Sequence, residues 1–340
     1  MELEISKRGS AYSSEQIAQY EEYVNLPQQY RHSSKPALDI NYLTALHVHQ
    51  IAYVPYENLV LHYSTSHAVS LNPQVLFQKI VRDKRGRGGY CMENSIFFNH
   101  VLRGLGFKVY TVGVKIRPRV GGVPGGNYTG WVHIVNIVTL PSGEKYHLDV
   151  GFGGDGATHP LPLIDGHESI NLGTQVVRLI QSPIPCNVDQ SQEWWVYQYR
   201  NSPTQEWNSF YAFAEFEFTE ADFGVMNWWT SASMDEANFQ TRKVLIVKFL
   251  LGKVGGEVER GVDVDGQVNG EGKGKEGIMG KIMLMNEEVK RNDGGKTKVV
   301  VILKSEEERV KAFKELFDIE LTEEEIHGVK GRIVELKNES

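Results

Sequence analysis

The residues best suited to chemistry in this 340-residue chain surround Cys91, in the run Arg87-Gly88-Gly89-Tyr90-Cys91-Met92-Glu93-Asn94-Ser95. Residues 95–102 read as a helix behind it. A cysteine at a helix N-terminus meets unpaired backbone N–H groups and the positive end of the macrodipole, and both favour thiolate over thiol. The paired glycines are expected to let the backbone turn sharply and to leave the sulfur open to a substrate. Taken alone, Cys91 is better read as a buried free cysteine behind an ordinary loop. A cysteine nucleophile also needs a base, and a group to orient that base. His133 lies in the alternating, β-branched run 131–138, and Asp149 ends a second strand-like run that starts at Lys145. Between them Pro141-Ser142-Gly143-Glu144 is a turn, so the two runs should form an antiparallel hairpin that sets His133 beside Asp149. Asp149 would hold one imidazole nitrogen while the other takes the Cys91 proton, a triad with a thiol as nucleophile. Separately, His133 could be a core histidine and Asp149 a turn cap. Together, three local contexts agree on one geometry.

Stepping outward, residues 13–103 read mainly helical. Ser14-Glu15-Gln16-Ile17 marks one start, 38–47 a second helix, and 72–81 a third with Pro73 in its first turn. His47 and His49 stand two apart on a helix, face different directions, and are expected to be surface or core residues rather than metal ligands. From Lys108 the pattern changes to strands, interrupted by a glycine-rich loop over 117–127 and a second glycine turn over 151–156. Both are places where backbone can approach a ligand closely. Trp194, Trp195, Trp207 and Phe210 supply core aromatics, and Cys186, without a helix or histidine beside it, is taken as structural. A helix starts at Thr219, and a strand covers 243–251. Residues 252–280, rich in Gly, Lys and Glu, should form a flexible loop. Strands at 280–285 and 298–303 precede a closing helix over 306–317 with Val310, Phe313, Leu316 and Phe317 as its apolar face. Residues 321–326 resemble a further helix start.

These residues carry a resemblance to the arylamine N-acetyltransferases, and within them to a eukaryotic, fungal-like member with a C-terminal insertion. Four segments match in order and spacing: Val54-Pro55-Tyr56-Glu57-Asn58-Leu59, the block from Arg87 to Cys91, the His133 strand, and 146–153. The resemblance implies an α+β fold of three domains with a papain-like Cys-His-Asp core. A helical bundle over 1–105 carries the cysteine, and a β-barrel over 106–218 carries His133 and Asp149. A linking helix and α/β lid occupy 219–340. It further implies Cys91 as acyl acceptor, His133 as base and Asp149 as orienter. Arg87 and Glu93 would support the catalytic loop, and Tyr56, Glu57, Gly151, Phe152 and Gly153 would line the substrate site. One departure is Ser95, where the family commonly has Asn. From composition alone, the Pro55 segment reads equally as a turn with an exposed Glu57.

The resemblance implies ping-pong acyl transfer from acyl-coenzyme A, acetyl first and propionyl or malonyl as alternatives, to an arylamine or arylhydrazine. Acyl-coenzyme A acts as cosubstrate, with no metal and no permanently bound cofactor. A Cys–His pair also suits a thiol hydrolase of the papain or transglutaminase kind, and a catalytically inactive binding protein would keep the same fold. With 36 Lys and Arg against 43 Asp and Glu, the net charge of -7 argues against a nucleic-acid partner. Two cysteines are too few for a disulfide framework. The N-terminus lacks a signal-peptide core, and no apolar run is long enough to span a bilayer, so a cytoplasmic protein is expected. Free edge strands of the third domain could join two copies as a homodimer.

Overall fold

The computed structural model describes residues 9–254 and 275–337. Three long helices build the first third: Ser14–Tyr23, Ile40–Tyr53 and Cys91–Gly104. Ser13 and Gln16 cap the first reciprocally, side chain to backbone in both directions, and Asp39 caps the second through the N–H groups of Asn41 and Tyr42. Their apolar faces meet in one core holding Ile17, Tyr20, Leu43, Leu46, Phe97 and Phe98. The helix expected over 72–81 starts at Pro73 but is regular only to Phe77, then widens into a π-turn over Gln78–Arg82. His47 and His49 are both buried, and each contacts a different backbone carbonyl, Ala157 at 3.2 Å and Val24 at 2.8 Å.

The middle of the chain forms an eight-stranded sheet, antiparallel throughout. In spatial order its strands are Leu161–Pro162, Lys145–Leu148, Trp131–Thr139, Lys108–Ile116, Asn208–Glu217, Trp194–Arg200, Val176–Ser182 and Glu168–Ile170. The sheet curls until the Leu161–Pro162 strand approaches Val176–Ser182, a near-closed barrel. Its interior is filled by Val112, Val135, Leu179, Tyr197, Tyr211 and Phe213. Of the expected core aromatics, Trp195 is buried, whereas Trp207 lies beneath the guanidinium of Arg178, 3.9 Å from its ring. Cys186 is exposed, in a loop, so it is no part of the core.

The last third holds a five-stranded sheet whose first strand comes from far upstream. Tyr56–Glu57 pairs antiparallel with Leu245–Val254, followed by Lys275–Met285, Glu288–Asn292 and Lys298–Ile302. Tyr56–Glu57 therefore ties the helical first third to this sheet, a pairing with no local signal in two residues of strand. The expected loop over 252–280 is corrected at both ends. Gly252 pairs with Gly277, Lys253 with Glu276 and Val254 with Lys275, so the strands run well into it. The rest of that expected loop lies outside the described residues. The helix Glu306–Phe317 packs Ala312, Phe313 and Phe317 on Ile246, Ile282 and Leu284. Its buried face differs from the expected one, because Leu316 is exposed and Arg309 is buried. Arg309 is tolerated there because it reaches Glu306, the Val334 carbonyl and the Tyr63 hydroxyl. Among the described residues, no helix is long and apolar enough to cross a membrane.

The barrel and the last sheet touch backbone to backbone. Gly173, with φ at +63°, lies against Gly294, and a Cβ on Gly173 would stand 1.6 Å from the Gly294 carbonyl oxygen. Both the left-handed backbone and the lack of space require glycine. Gly173→Ala is therefore expected to lower stability by about 1–3 kcal/mol in urea unfolding. An unchanged midpoint would show that this contact does not hold the two sheets together.

Candidate active site

Cys91 is the first residue of its helix, and the loop before it is held on two sides. The Glu93 carboxylate accepts the Tyr90 N–H at 3.1 Å and the Lys79 ammonium at 2.5 Å. That contact closes the helix start as a capping-box glutamate does. Gly88 and Gly89 are needed for close approach rather than for a sharp turn, since neither has a positive φ. A Cβ on Gly88 would lie 1.9 Å from the Pro55 carbonyl oxygen, and one on Gly89 would lie 2.6 Å from the Glu93 Cβ. The glycines do not open the sulfur to solvent either, for Cys91 is only 4% exposed.

Arg87, fully enclosed, has carboxylates on two sides. Its Nε donates to Glu57 at 3.0 Å and its NH1 to Glu325 at 2.8 Å. Glu57 is buried rather than exposed at a turn, and its other oxygen accepts the Leu59 N–H at 2.7 Å. Burial works against its charge, but Arg87 and Lys79 outweigh that and hold the carboxyl below its usual range. Glu325 also takes Arg85 and closes the cap of its own short helix with Thr322. Sequence reading missed Lys79 and Glu325. The Thr322–Glu325 spacing marks a helix start, but nothing local points it at Arg87.

The strand Trp131–Thr139 and the segment after Lys145–Leu148 bring the other two groups together. His133 Nε2 lies 2.8 Å from an Asp149 oxygen, and both residues are buried. With Nε2 donating to the carboxylate, Nδ1 is the nitrogen left to accept a proton. The second Asp149 oxygen accepts the Gly151 N–H at 3.1 Å, and Phe152 packs against the His133 ring at 5.1 Å. Burial opposes charge on Asp149, but His133, His147 and the Gly151 N–H prevail and keep its carboxyl below the usual range. Cys91 is seated against both elements: its thiol points at the Val132 carbonyl, 3.8 Å away, and a Cβ on Gly151 would be 2.7 Å from the Cys91 Cα. The structure thus gathers Cys91, His133, Asp149 and Gly151 in one place, with Arg87, Glu93 and Glu57 behind them. Tyr56, held by Gln240 through its hydroxyl, and Gly153 border the same place.

The Cys91 thiol also departs from the sequence reading. Burial and the nearby Asp149 push it up, against the lowering effect of the Met92 and Cys91 N–H groups at the helix start. The helix terminus acts in the expected direction, but desolvation is larger. The departure at Ser95 leaves the loop bonded: Ser95 donates to the Ile134 carbonyl, Asn94 to the Pro55 carbonyl at 3.2 Å, and Asn136 to the Ser95 carbonyl. Free space beside Asp149 amounts to only about 10 Å³, walled by Tyr56, Phe152, Gly153 and Phe249, which is room for about one water. A cavity of about 350 Å³ lies beyond Pro55 and Phe249 and touches none of the three central residues.

The Arg87 pairing gives a graded test. Glu57→Gln leaves a buried guanidinium short of charge and is expected to cost about 3–5 kcal/mol. Glu325→Gln, on the less buried partner, should cost less, about 1–2 kcal/mol, between the values for exposed and buried pairs. Equal losses in urea unfolding would show that the two carboxylates do not differ in this way.

Comparison with known proteins places the chain by family and fold. Residues 39–253 match the family model described as N-acetyltransferase. The chain is 33% identical over 343 residues to the N-malonyltransferase FDB2 of Fusarium pseudograminearum (strain CS3096), covering 94% of this chain and 92% of that protein. It is 32% identical over 209 residues to arylamine N-acetyltransferase 2 of Rattus norvegicus, covering 59% of this chain and 69% of that protein. The arylamine N-acetyltransferase of Salmonella typhimurium shares the fold with a TM-score of 0.69 at 20% identity, covering 94% of this chain and 98% of that one. The Mycobacterium marinum enzyme in complex with CoA gives 0.69 at 21%, covering 94% and 99%. With its buried cysteine, histidine and aspartate on this framework, the chain belongs to the arylamine N-acetyltransferase family.

Proposed function

We propose that the protein transfers an acyl group from acyl-coenzyme A to the nitrogen of an aromatic amine or hydrazine through a thioester on Cys91. The observation that carries this reading is the His133–Asp149 contact at 2.8 Å, beside a cysteine seated at the first turn of a helix. Family membership supports the acyl-transfer chemistry. In the first half-reaction Nδ1 of His133 takes the Cys91 proton, and the sulfur attacks the thioester carbonyl. Coenzyme A then leaves as a thiolate and collects the proton from His133. In the second, the amine nitrogen attacks the Cys91 thioester, its proton passes to His133, and Cys91 leaves as the thiolate, to which the proton returns. Asp149 stabilises the imidazolium in both steps and fixes which nitrogen faces the sulfur. Because burial keeps Cys91 a thiol, the base is essential to making the nucleophile.

For the donor we favour malonyl-coenzyme A over acetyl-coenzyme A. The relatives named N-malonyltransferase match nearly the whole chain, whereas the rat relative named N-acetyltransferase matches 59% of it. The amine is proposed only as a class.

Intact mass after brief exposure to malonyl-, acetyl- or propionyl-coenzyme A, without amine, tests the reading. A single acyl adduct is expected, absent in Cys91→Ala, with malonyl loading fastest. Asp149→Asn should slow that loading by roughly two to four orders of magnitude while leaving the fold intact. Folded protein that loads no donor would instead favour a thiol hydrolase or an inactive binding protein.

A further inference from the structure

Beside the candidate active site is a buried cation that the chemistry above leaves unused. Lys281 lies on the strand Lys275–Met285 and is 6% exposed. On this strand Ile282 and Leu284 face the closing helix, while Lys281 and Met283 reach the other way, to the turn that follows Asp149. The Lys281 ammonium donates to the Gly154 carbonyl oxygen. Gly154 has no side chain to occupy that space: a Cβ there would stand 2.9 Å from the Met283 sulfur and 3.7 Å from Lys281 Nζ. The register partner of Lys281 is Phe249, which walls the space beside Asp149 together with Tyr56 and Gly153. Lys281 thus sits just behind that wall.

The neighbouring acid, Asp155, is held by Arg119 at 2.5 Å. Among the described residues no carboxylate lies within ion-pair distance of Lys281 Nζ. An enclosed ammonium bonded to one carbonyl has donors to spare, and its burial is costly until an anion meets it. Burial opposes the charge here, Asp155 supports it only from a distance, and Arg119 opposes it.

We infer that Lys281 is the specificity-determining cation for the donor, receiving a free carboxylate carried on the acyl group as that group is loaded onto Cys91. This rests on the acyl-transfer reading given above. In this reading the thioester end of a short dicarboxylic acyl group meets Cys91 and its carboxylate reaches past Gly153 to Gly154. Acetyl and propionyl groups have nothing to offer this ammonium. The same cation could instead meet a phosphate of coenzyme A, but that moiety is common to every donor and gives no discrimination among them.

The test compares single-turnover loading of Cys91 by malonyl- and acetyl-coenzyme A, read by intact mass, in the parent protein, Lys281→Gln and Lys281→Arg. Glutamine can still donate to the Gly154 carbonyl but carries no charge, and retained acetyl loading reports an intact site. A charge-assisted hydrogen bond lost at a desolvated position should lower malonyl loading roughly tenfold to hundredfold in Lys281→Gln. Acetyl loading should stay within about twofold, and Lys281→Arg should keep most of the malonyl preference. An equal fall with both donors, as coenzyme A phosphate binding or a damaged fold would give, overturns the inference, as does no change with either. A parent protein that loads acetyl but not malonyl also overturns it while sparing acyl transfer. A folded parent that loads neither defeats the acyl-transfer reading itself.

Discussion

The enclosed Arg87 guanidinium is the constraint on which the rest of the structure depends. A charge that is buried must be paired, and Arg87 finds Glu57 thirty residues upstream and Glu325 near the other end of the chain. Those two contacts fix the loop before Cys91 relative to the Pro55 segment and to the C-terminal helix at once. The Pro55 segment is in turn an edge of the last sheet, through the pairing of Tyr56 and Glu57 with Val247 and Ile246. Three stretches of sequence that share no local signal therefore converge on the residue four positions before the cysteine. Placing Glu93 with Lys79 on the other side of the same loop leaves the helix start little freedom.

The two halves of the site were unequally legible in sequence. The His133–Asp149 hairpin could be read because it is local: a period-two run, a turn at Pro141 to Glu144, and a second run leave few alternatives. The structure adds only that the second strand stops at Leu148, so Asp149 stands just beyond it, free to turn both oxygens to His133 and Gly151. The helix behind Cys91 was legible for the same reason. Glu325 and Lys281 were not, since each acts across more than a hundred residues and no local pattern points either one at its partner. The glycine pair was misread for a different reason. Its type was visible, but sequence cannot tell a glycine needed for a positive φ from one needed because another carbonyl lies against it.

Two effects compete at the Cys91 thiol, and which one prevails shapes the proposed chemistry. The helix start offers N–H groups that favour thiolate, worth a modest amount at one terminus. Burial among apolar side chains, with Asp149 close by, opposes it more strongly. A thiol held in its neutral form resists oxidation and stray alkylation, which follow thiolate character and exposure. It becomes a nucleophile only if a partner takes the proton, and the partner must then be stabilised as a cation in the same dry surroundings. Asp149, kept ionised by His133 and the Gly151 N–H despite its own burial, is the group able to do that. In the proposed chemistry, burial thus makes the cysteine depend on the histidine, and the histidine on the aspartate. The same water-poor surroundings strengthen every other charge near the site, which is why the enclosed ammonium of Lys281 carries weight that an exposed lysine would not.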